Sequence, residues 1–455
     1  MAGAGGDLAP QYSGTSLLAH YGSPVITRQN TVIHPVKTGA ADGFRIEARD
    51  GVTGALKWTA TTNYTQPAHN WTMHVVAALT PQNRVYFADA GGTLSFRDSP
   101  DAATGAGGRR VFYGQASYET DTAAFDANVK INTPLTTDRY GNVFFGFVVS
   151  GATTPALQSG IARIAEDGTG SWVSAASAAA DGTMTRLPHN LAPALSNDHR
   201  TLYVAVRGSD GFGCLLALDS RTLATTGKIR LKDGLNALND ARLLDDGTAA
   251  PMVGPDGDVY FGVFEHSWGS NHYRGWLRHY DKTLTQTKPT GAFGWDHTPS
   301  VVPAKLVPAY QGTSKYLLLS KYNNYAGVGG DGVNKLAILD PNETMTDPIS
   351  GAQVMKEVMT IVGPTPDLDY TTSAPNAVLE WCVNTVAIDT AKHSAIVHSE
   401  DGHVYRWDFH TNTLAETLMV TPDVREAYTP SVIGVDGTVY VVANAILFAI
   451  GEAAP

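Results

Sequence analysis

The chain has little cysteine, and what it has is widely spaced. Cys214 and Cys382 are the only cysteines among 455 residues, and no CxxC pair is present. The paired-cysteine pattern of thiolate zinc sites is therefore missing. We expect both thiols to be buried and free, with a disulfide between them as the alternative.

Charge is also scarce. Charged residues make up 16% of the chain, the formal net charge is −11, and no run of lysine or arginine occurs. This composition argues against nucleic acid or an anionic membrane as a partner. No stretch approaches the roughly 20 apolar residues of a membrane-spanning helix, so no membrane span is expected.

The N-terminus offers no targeting signal. Residues 1–6, MAGAGG, include neither a basic nor an apolar segment, whereas a signal peptide needs both. We expect a periplasmic or extracellular protein whose signal peptide is absent from this sequence, and a cytoplasmic location is the alternative. We further expect a monomer that binds a small molecule or a carbohydrate.

Turn-forming residues are abundant. The 46 glycines and 24 prolines predict many short strands joined by tight turns. An aromatic residue in an apolar strand recurs every 56 to 59 residues, at Tyr86, Phe144, Tyr203, Tyr260 and Tyr316. A small residue followed by proline precedes most of these strands by about ten positions, and a strand ending in aspartate follows most of them.

This repeat predicts four strands per unit, which is the blade of a β-propeller. The predicted fold class is all-β: a single β-propeller of about eight four-stranded blades, with seven as the alternative. The predicted N-terminal segment is 1–23 and the propeller domain is 24–455. The blades are expected near 24–58, 70–113, 132–174, 190–231, 248–290, 297–362, 378–420 and 428–451.

The last unit is short, so its missing strand is expected from the N-terminus, near Gln11 to His20. Such pairing of the N- and C-terminal strands would close the propeller and remove its exposed sheet edges.

Residues 49–58, RDGVTGALKW, carry a more specific likeness. An Asp-Gly or Thr-Gly turn followed by a strand ending in Trp resembles the repeat of the PQQ-like (quinoprotein dehydrogenase-like) β-propeller family. The resemblance extends over nearly the whole chain, but it implies an architecture and leaves the chemistry open, because unrelated activities share this fold.

Polar residues stand just upstream of the small-residue–proline pairs, where they would enter the innermost strands and line a central channel. Oxygen ligands suit a hard cation such as Ca²⁺. The candidate ligands of a divalent cation are Asn132, Asn190, Asp296, Glu380, Asn384 and Glu426.

The same positions also supply groups able to move protons or bind anions. The candidate catalytic residues are His69, His189, His297, Lys130 and Tyr428. The alternative is that these polar side chains only close the loops between blades.

Two long polar loops, 265–276 and 321–334, combine aromatic rings with hydrogen-bonding groups, as sites for flat polar ligands do. The candidate substrate-binding residues in these loops and at the channel are Trp71, His266, Trp268, His272, Arg274, Tyr325, Trp381 and Arg425. An ordered loop packed by its own aromatic side chains is the alternative.

These residues favour a hydrolase acting at the mouth of the channel, with metal-assisted cleavage of an ester, lactone or phosphoester. The arrangement looks like that of calcium-dependent lactonase and phosphotriesterase propellers, although those have six blades and different repeats. A carbohydrate lyase or glycosidase fits the same residue types.

Two further alternatives come from the repeat. A PQQ-dependent dehydrogenase is suggested by the family, but the adjacent Cys-Cys pair common in such alcohol dehydrogenases and a CxxCH haem motif are both missing, so PQQ is not expected. A non-catalytic scaffold, like the outer-membrane assembly propellers of this repeat type, is the other. The sequence leaves open whether the chain is an enzyme.

Overall fold

The computed structural model describes residues 2–3, 12–13, 16–17, 22–37, 42–68, 77–245, 247–382, 385–422, 429–443 and 446–451. The chain divides into two compact units. The first unit comprises residues 1–210, 214–228 and 432–455, and the second comprises residues 211–213 and 229–431.

Most strands of the first unit form antiparallel sheets of four or five strands, in which most strands pair with their neighbours along the chain. Three short strands come first: β1 (Ala2–Gly3), β2 (Tyr12–Ser13) and β3 (Ser16–Leu17). The first blade consists of β4 (Val25–Ile26), β5 (Thr31–Lys37), β6 (Asp42–Asp50) and β7 (Leu56–Thr65). The second consists of β8 (Ala78–Leu79), β9 (Arg84–Ala88), β10 (Leu94–Asp98) and β11 (Gly107–Arg110).

The next two blades each have a divided first strand. The third blade consists of β12 (Val129–Ile131), β13 (Thr136–Thr137), β14 (Val143–Val149), β15 (Gly160–Ile164) and β16 (Gly170–Ser174). The fourth consists of β17 (Met184–Arg186), β18 (Ala194–Leu195), β19 (Thr201–Gly208), β20 (Gly213–Asp219) and β21 (Thr225–Arg230).

The second unit holds the fifth to seventh blades. The fifth consists of β22 (Met252–Val253), β23 (Val259–Val263) and β24 (Trp276–Tyr280), and isolated bridges from Tyr280 to Thr287 and from Leu277 to Gly291 supply its fourth strand. The sixth consists of β25 (Ser300–Pro303), β26 (Tyr316–Tyr322), β27 (Lys335–Thr346) and β28 (Gln353–Val362). The seventh consists of β29 (Ala387–Asp389), β30 (Ser394–His398), β31 (His403–Asp408) and β32 (Thr413–Met419).

The eighth blade, in the first unit, consists of β33 (Val432–Ile433), β34 (Val439–Ala443) and β35 (Ile446–Ile450), with β1 as its fourth strand. Helices are short: α1 (Gln115–Thr120), α2 (Thr122–Asn128), α3 (Ala175–Ala179), and single 3₁₀ turns at Ala90–Gly92, Ala304–Leu306, Ala326–Val328 and Leu368–Tyr370. Of the helices in the described part of the chain, none has the length and apolar character needed to cross a bilayer.

The predicted fold class, an all-β propeller with eight four-stranded blades, is confirmed. The aromatic landmarks lie in the second strand of their blades, and the strands that carry them are largely buried on both faces, as in β23 and β26. The aspartate turns also form as expected. The Asp219 carboxylate accepts hydrogen bonds from the backbone N–H of Arg221 and from the N–H and hydroxyl of Thr222.

The prediction that an N-terminal strand completes the last blade is confirmed, but the predicted position of that strand is wrong. Ala2 pairs with Phe448 and Gly3 with Leu447 in an antiparallel arrangement. Within the predicted range Gln11 to His20, β2 instead pairs with β3 as a hairpin. The fourth strand of the eighth blade is therefore Ala2–Gly3, upstream of the predicted range.

Cores form where neighbouring sheets face each other. In the first unit, Phe112 packs against Phe145 and Phe147 with ring centroids 5.8 and 4.4 Å apart, which joins the second and third blades. In the second unit, Leu317 and Trp407 belong to one buried cluster that joins the sixth and seventh blades. These packed sheets fix the loops that carry the candidate site.

Candidate functional site

A group of titratable side chains lies in the second unit, between the sixth and seventh blades. Asp296 precedes β25, Lys321 lies in β26 and Tyr325 follows it. Glu380 and Cys382 precede β29, and Glu400 lies in the turn between β30 and β31. The members are defined here as the acidic cluster: Asp296, Lys321, Tyr325, Glu380, Cys382 and Glu400.

Three of these side chains approach closely enough to share an ion. One carboxylate oxygen each from Glu380 and Glu400 and the Cys382 thiol lie within 4.8 Å of one another. Backbone contacts fix this geometry, since the Glu380 N–H donates to the Glu400 carboxylate at 3.2 Å and the Glu400 N–H donates to the Glu380 carbonyl at 2.9 Å. The two chain segments therefore brace each other across the site.

Crowding of negative charge changes the acidity of the cluster. Burial, reinforced by the charge of Glu400, raises the pKa of Glu380 to about 8, and Lys321 opposes this shift. Two carboxylates close together in a desolvated site cannot both ionise without a compensating cation. The cluster is thus short of positive charge at neutral pH.

Asp296 is the best-anchored carboxylate of the cluster. Its Oδ2 accepts a hydrogen bond from the Lys321 ammonium at 2.8 Å and lies 3.5 Å from the Tyr325 hydroxyl. Lys321 is 1% exposed and lies 5.7 Å from the centroid of the Phe293 ring. The other carboxylate oxygen, Oδ1, is buried without a hydrogen-bond partner among the described residues, which leaves one acceptor available.

Tyr325 is held as a neutral phenol. Burial raises its pKa well above the usual value, and the charges of Asp296 and Glu380 raise it further. The phenol therefore keeps its proton at neutral pH and can donate a hydrogen bond. The structure thus brings together three of the residues singled out from the sequence, Asp296, Tyr325 and Glu380.

Two neighbours singled out with them are core residues. His297 is fully buried, and its Nε2 lies 3.4 Å from the Leu319 carbonyl. Trp381 is also fully buried and packs edge-on against Tyr405, with ring centroids 5.7 Å apart. Neither side chain has the exposure that contact with a substrate requires. The geometry therefore favours a structural role for both, as packed side chains rather than as groups that contact a ligand.

A second group of the predicted residues meets in the first unit. The Asn132 amide donates to the Leu187 carbonyl at 2.9 Å and lies 3.2 Å from His189 Nδ1, while His189 Nε2 lies 3.2 Å from the Ala68 carbonyl. An amide N–H can only donate and a carbonyl can only accept, so these two contacts suit the tautomer of His189 with its proton on Nε2.

This tautomer occupies both nitrogens of His189 and favours a structural role for the ring. Asn190 is buried and has a left-handed backbone, with φ of 66°, a conformation that asparagine tolerates better than most residues. The Lys130 ammonium lies 3.4 Å from the Gln66 carbonyl. Asn132 Oδ1 is buried without a partner among the described residues, so the prediction that it binds a cation remains untested.

The loop 265–276 is packed largely by its own side chains. Glu265 is fully buried and accepts hydrogen bonds from the backbone N–H groups of Asn271, Tyr273 and Gly275. Arg274 is 2% exposed and forms two hydrogen bonds with Asp347, at 2.9 and 3.2 Å. This geometry favours a structural role for Arg274.

The other three residues of this loop lie nearer the surface. His266 Nδ1 lies 2.9 Å from the Asp240 carbonyl, and His272 Nδ1 lies 2.9 Å from Asn324 Oδ1. Trp268 is 57% exposed and leaves an indole surface open to a ligand. Their predicted role in substrate binding stays a prediction.

The remaining predicted residues cannot be placed. They lie outside the described residues: His69, Trp71, Asn384, Arg425, Glu426 and Tyr428.

Sequence reasoning missed Lys321, Cys382 and Glu400. Residue 321 was assigned from the sequence to the polar loop 321–334, but Lys321 lies in the buried strand β26. Glu400 belongs to the Glu-Asp-Gly turn that joins β30 to β31, and such a turn matches a purely structural pattern. Cys382 stands two residues from Glu380, and this spacing is the signal in the sequence that could have indicated it. The absence of a second nearby cysteine is what removed it from consideration.

Comparisons with known proteins support the fold. No protein-family model matches the sequence, and no curated protein matches it either. Among solved structures, a europium-containing methanol dehydrogenase superposes with a TM-score of 0.54 at 9% identity, over 94% of this chain and 83% of that one.

Two other solved structures superpose over similar lengths. Sqt1 of Saccharomyces cerevisiae has a TM-score of 0.54 at 11% identity, over 96% of each chain. BamB from Moraxella catarrhalis has a TM-score of 0.47 at 14% identity, over 95% of this chain and 98% of that one. The chain is a β-propeller, and the superposition on methanol dehydrogenase confirms, at the level of the fold, its resemblance to PQQ-like propellers. Identities this low show the fold alone.

Proposed function

We propose that the chain is a hydrolase whose chemistry takes place at the acidic cluster with the help of a divalent cation. The observation that carries the proposal is the approach of Glu380, Cys382 and Glu400 to within 4.8 Å of one another. Three protein ligands that leave a coordination position free are typical of catalytic metal centres.

The donor set suits zinc better than the calcium expected from the sequence. A thiolate is a soft ligand that calcium does not favour, whereas zinc accepts sulfur and carboxylate oxygen together. The raised pKa of Glu380 and the unpartnered Asp296 Oδ1 are consistent with a site that lacks positive charge. A bound cation would compensate this deficit and polarise a carbonyl or phosphoryl oxygen.

The residues of the chain then have separate tasks. Asp296, anchored by Lys321, would accept a proton from an attacking water molecule. The neutral phenol of Tyr325 is suited to donate a hydrogen bond to an oxygen that gains negative charge in the transition state. Lys321 keeps Asp296 oriented and, since its ammonium is nearly fully buried, confers a charge that solvent does not screen.

Metal content and esterase activity together test the proposal. We expect purified protein to bind close to one equivalent of zinc and to hydrolyse p-nitrophenyl acetate, a simple lactone or paraoxon, with loss of activity in EDTA and recovery with zinc. Glu400→Gln and Cys382→Ser should each lose the zinc and the activity. Glu343→Gln removes an exposed carboxylate of the same unit and should change neither.

Two results would contradict the proposal. One is a protein that binds no zinc when zinc is supplied, and the other is hydrolysis that EDTA leaves unchanged. Quinone absorbance with alcohol-dependent dye reduction would support the dehydrogenase alternative instead.

A second candidate, glycoside hydrolysis, is favoured by one observation. Glu380 and Glu400 have oxygens within 4.8 Å and one of the two has a raised pKa, which approaches the carboxylate pair of retaining glycosidases. In that case Glu380 would serve as the general acid and Glu400 as the nucleophile. Release of p-nitrophenol from aryl glycosides that persists in EDTA would favour this candidate over the metal-assisted one.

A further inference from the structure

A groove in the first unit runs between the outer strands of the second and third blades. Strands β11 and β16 are the last strands of their sheets, and the cavity between them has a volume of about 780 Å³. Gly170 lets the two edges approach, because a Cβ there would lie 2.3 Å from the Phe112 carbonyl oxygen. Cavities that bind small molecules commonly measure about 300–1,000 Å³.

The lining of this groove is cationic in an acidic protein. It includes Arg109 and Arg110 and no aspartate or glutamate, although the chain as a whole has 43 acidic and 32 basic residues. Arg109 is partly neutralised by Asp89, at 3.3 Å. Arg110 forms no salt bridge within the described part of the chain, and its charge helps to lower the pKa of the exposed Asp167.

Arg110 is held in place rather than mobile. Its guanidinium lies over the Phe96 ring, 4.5 Å from the centroid, and donates to the Arg109 carbonyl at 3.3 Å. On the other side it rests against Gly168, where a Cβ would lie 2.5 Å from its Nε. An arginine fixed in this way can present its fork of donors to an oxyanion with little loss of entropy.

Trp172 and Tyr113 add aromatic surface to the same groove. The combination favours a ligand that carries both an oxyanion and a flat ring.

We propose that this groove binds a small organic anion in which a phosphate or a carboxylate is attached to a flat ring. Arg110 contacts the oxyanion, and Trp172 packs against the ring. The proposal is independent of the hydrolase, because every residue that it uses lies in the first unit.

Isothermal titration calorimetry in a chloride buffer tests this proposal with four probes. Phenyl phosphate and benzoate have both features, inorganic phosphate has only the charge, and benzyl alcohol has only the ring. We expect at least one of the first two to bind about tenfold more tightly than either of the others. Whether phenyl phosphate or benzoate binds more tightly identifies the oxyanion.

Variants locate the site. Arg110→Gln and Trp172→Ala should each weaken binding of the tighter probe by about tenfold. Arg139→Gln is the matched control, since Arg139 also lies over an aromatic ring, that of Tyr140, 5.0 Å from the centroid, and does not line the groove. Binding in this control and in Glu400→Gln should equal that of the unmodified protein.

Three outcomes would overturn the proposal: binding that Arg110→Gln leaves unchanged, inorganic phosphate binding as tightly as phenyl phosphate, which would indicate an adventitious ion only, and no binding by either aryl anion. If Arg110→Gln fails to fold, crystals of the unmodified protein soaked in phenyl phosphate decide the matter. Density for the probe against Arg110 and Trp172 would support the proposal, and density elsewhere would overturn it.

Discussion

His34 lies in β5 of the first blade, opposite Glu47 in β6. Burial lowers its pKa to about 4; Glu47 opposes this shift, and Arg49 and Arg45 reinforce it. Because the side chain is 5% exposed and its Nδ1 has no partner among the described residues, the folded protein holds it neutral. An unfolded chain would protonate the same imidazole near pH 6.5.

This difference predicts an acid-labile native state. Between about pH 6.5 and pH 4 the unfolded chain binds a proton that the folded chain does not, so stability falls as the pH is lowered through this window. Over this whole window, His34 accounts for a loss of unfolding free energy on the order of 3 kcal/mol. Urea denaturation of His34→Gln at pH 7 and pH 5 should show a smaller loss between the two than the unmodified protein, and an equal loss would contradict the assignment.

The buried ion pair between Arg274 and Asp347 allows a second prediction. Loss of stability on replacing Arg274 would indicate a structural role, and loss of ligand binding alone would indicate a binding role. Replacing one partner of a buried pair leaves the other charge uncompensated, at a cost of about 3–5 kcal/mol. Arg274→Met should therefore lower the free energy of unfolding by that amount. Lys356→Met, which removes one member of an exposed pair, should leave it unchanged within error.

Full stability of Arg274→Met, together with weakened ligand binding, would restore the role in substrate binding predicted from the sequence. The composition of the loop is compatible with either role of Arg274, structural or ligand-binding. The burial of the side chain distinguishes the two roles, and a sequence does not specify burial for a single side chain.

At the scale of elements, the fifth blade is held by a close backbone approach. Gly262 lies in β23, and a Cβ at this position would meet the Gly294 carbonyl oxygen at 1.7 Å and the Ala249 methyl at 2.8 Å. The segment after the fourth strand of this blade therefore packs directly on β23. Only glycine permits this contact without a shift of the backbone.

Gly262→Ala should consequently destabilise the protein by about 1–3 kcal/mol, the usual cost of overpacking. Gly182→Ala is the matched control, because nothing lies within 4 Å of the added methyl group. Chemical denaturation of the two variants provides the measurement. Equal stability of both would show that the contact between β23 and Gly294 is absent in solution.

The positions of strands and turns were more predictable from the sequence than the pairing between distant strands. Repeating positions such as Tyr203 and Asp219 mark strands and turns because each fixes its own local environment, by filling a strand pair or closing a turn. The pairing of β1 with β35 depends on a contact between the two ends of the chain. No local pattern in Ala2–Gly3 distinguishes these residues from their neighbours.

The same limit applies to the candidate site. Asp296 and Glu380 occupy equivalent places in the repeat and were therefore visible in the sequence. Glu400 reaches the cluster from a turn between two other strands, and Lys321 from within a strand. Their positions follow from how the sixth and seventh blades pack, which the repeat alone does not reveal.

For the whole molecule, Cys214 and Cys382 are both buried and no disulfide joins them, as expected from the sequence. We predict no reaction of the native protein with Ellman's reagent, and two reactive thiols per chain in guanidinium chloride. A reducing agent should not change the unfolding midpoint. Fewer than two thiols in denaturant would indicate that the cysteines are oxidised in the protein.

The fold by itself does not select a chemistry. A methanol dehydrogenase and Sqt1 superpose equally well on this chain, each with a TM-score of 0.54. A hydrolase therefore requires that the acidic cluster hold a cation.

Anomalous diffraction at the zinc absorption edge, from crystals grown with zinc, tests this most directly. The account predicts one peak about 2.3 Å from the Cys382 sulfur and about 2.0–2.2 Å from an oxygen each of Glu380 and Glu400. Zinc-loaded crystals without a peak among these three side chains would contradict it.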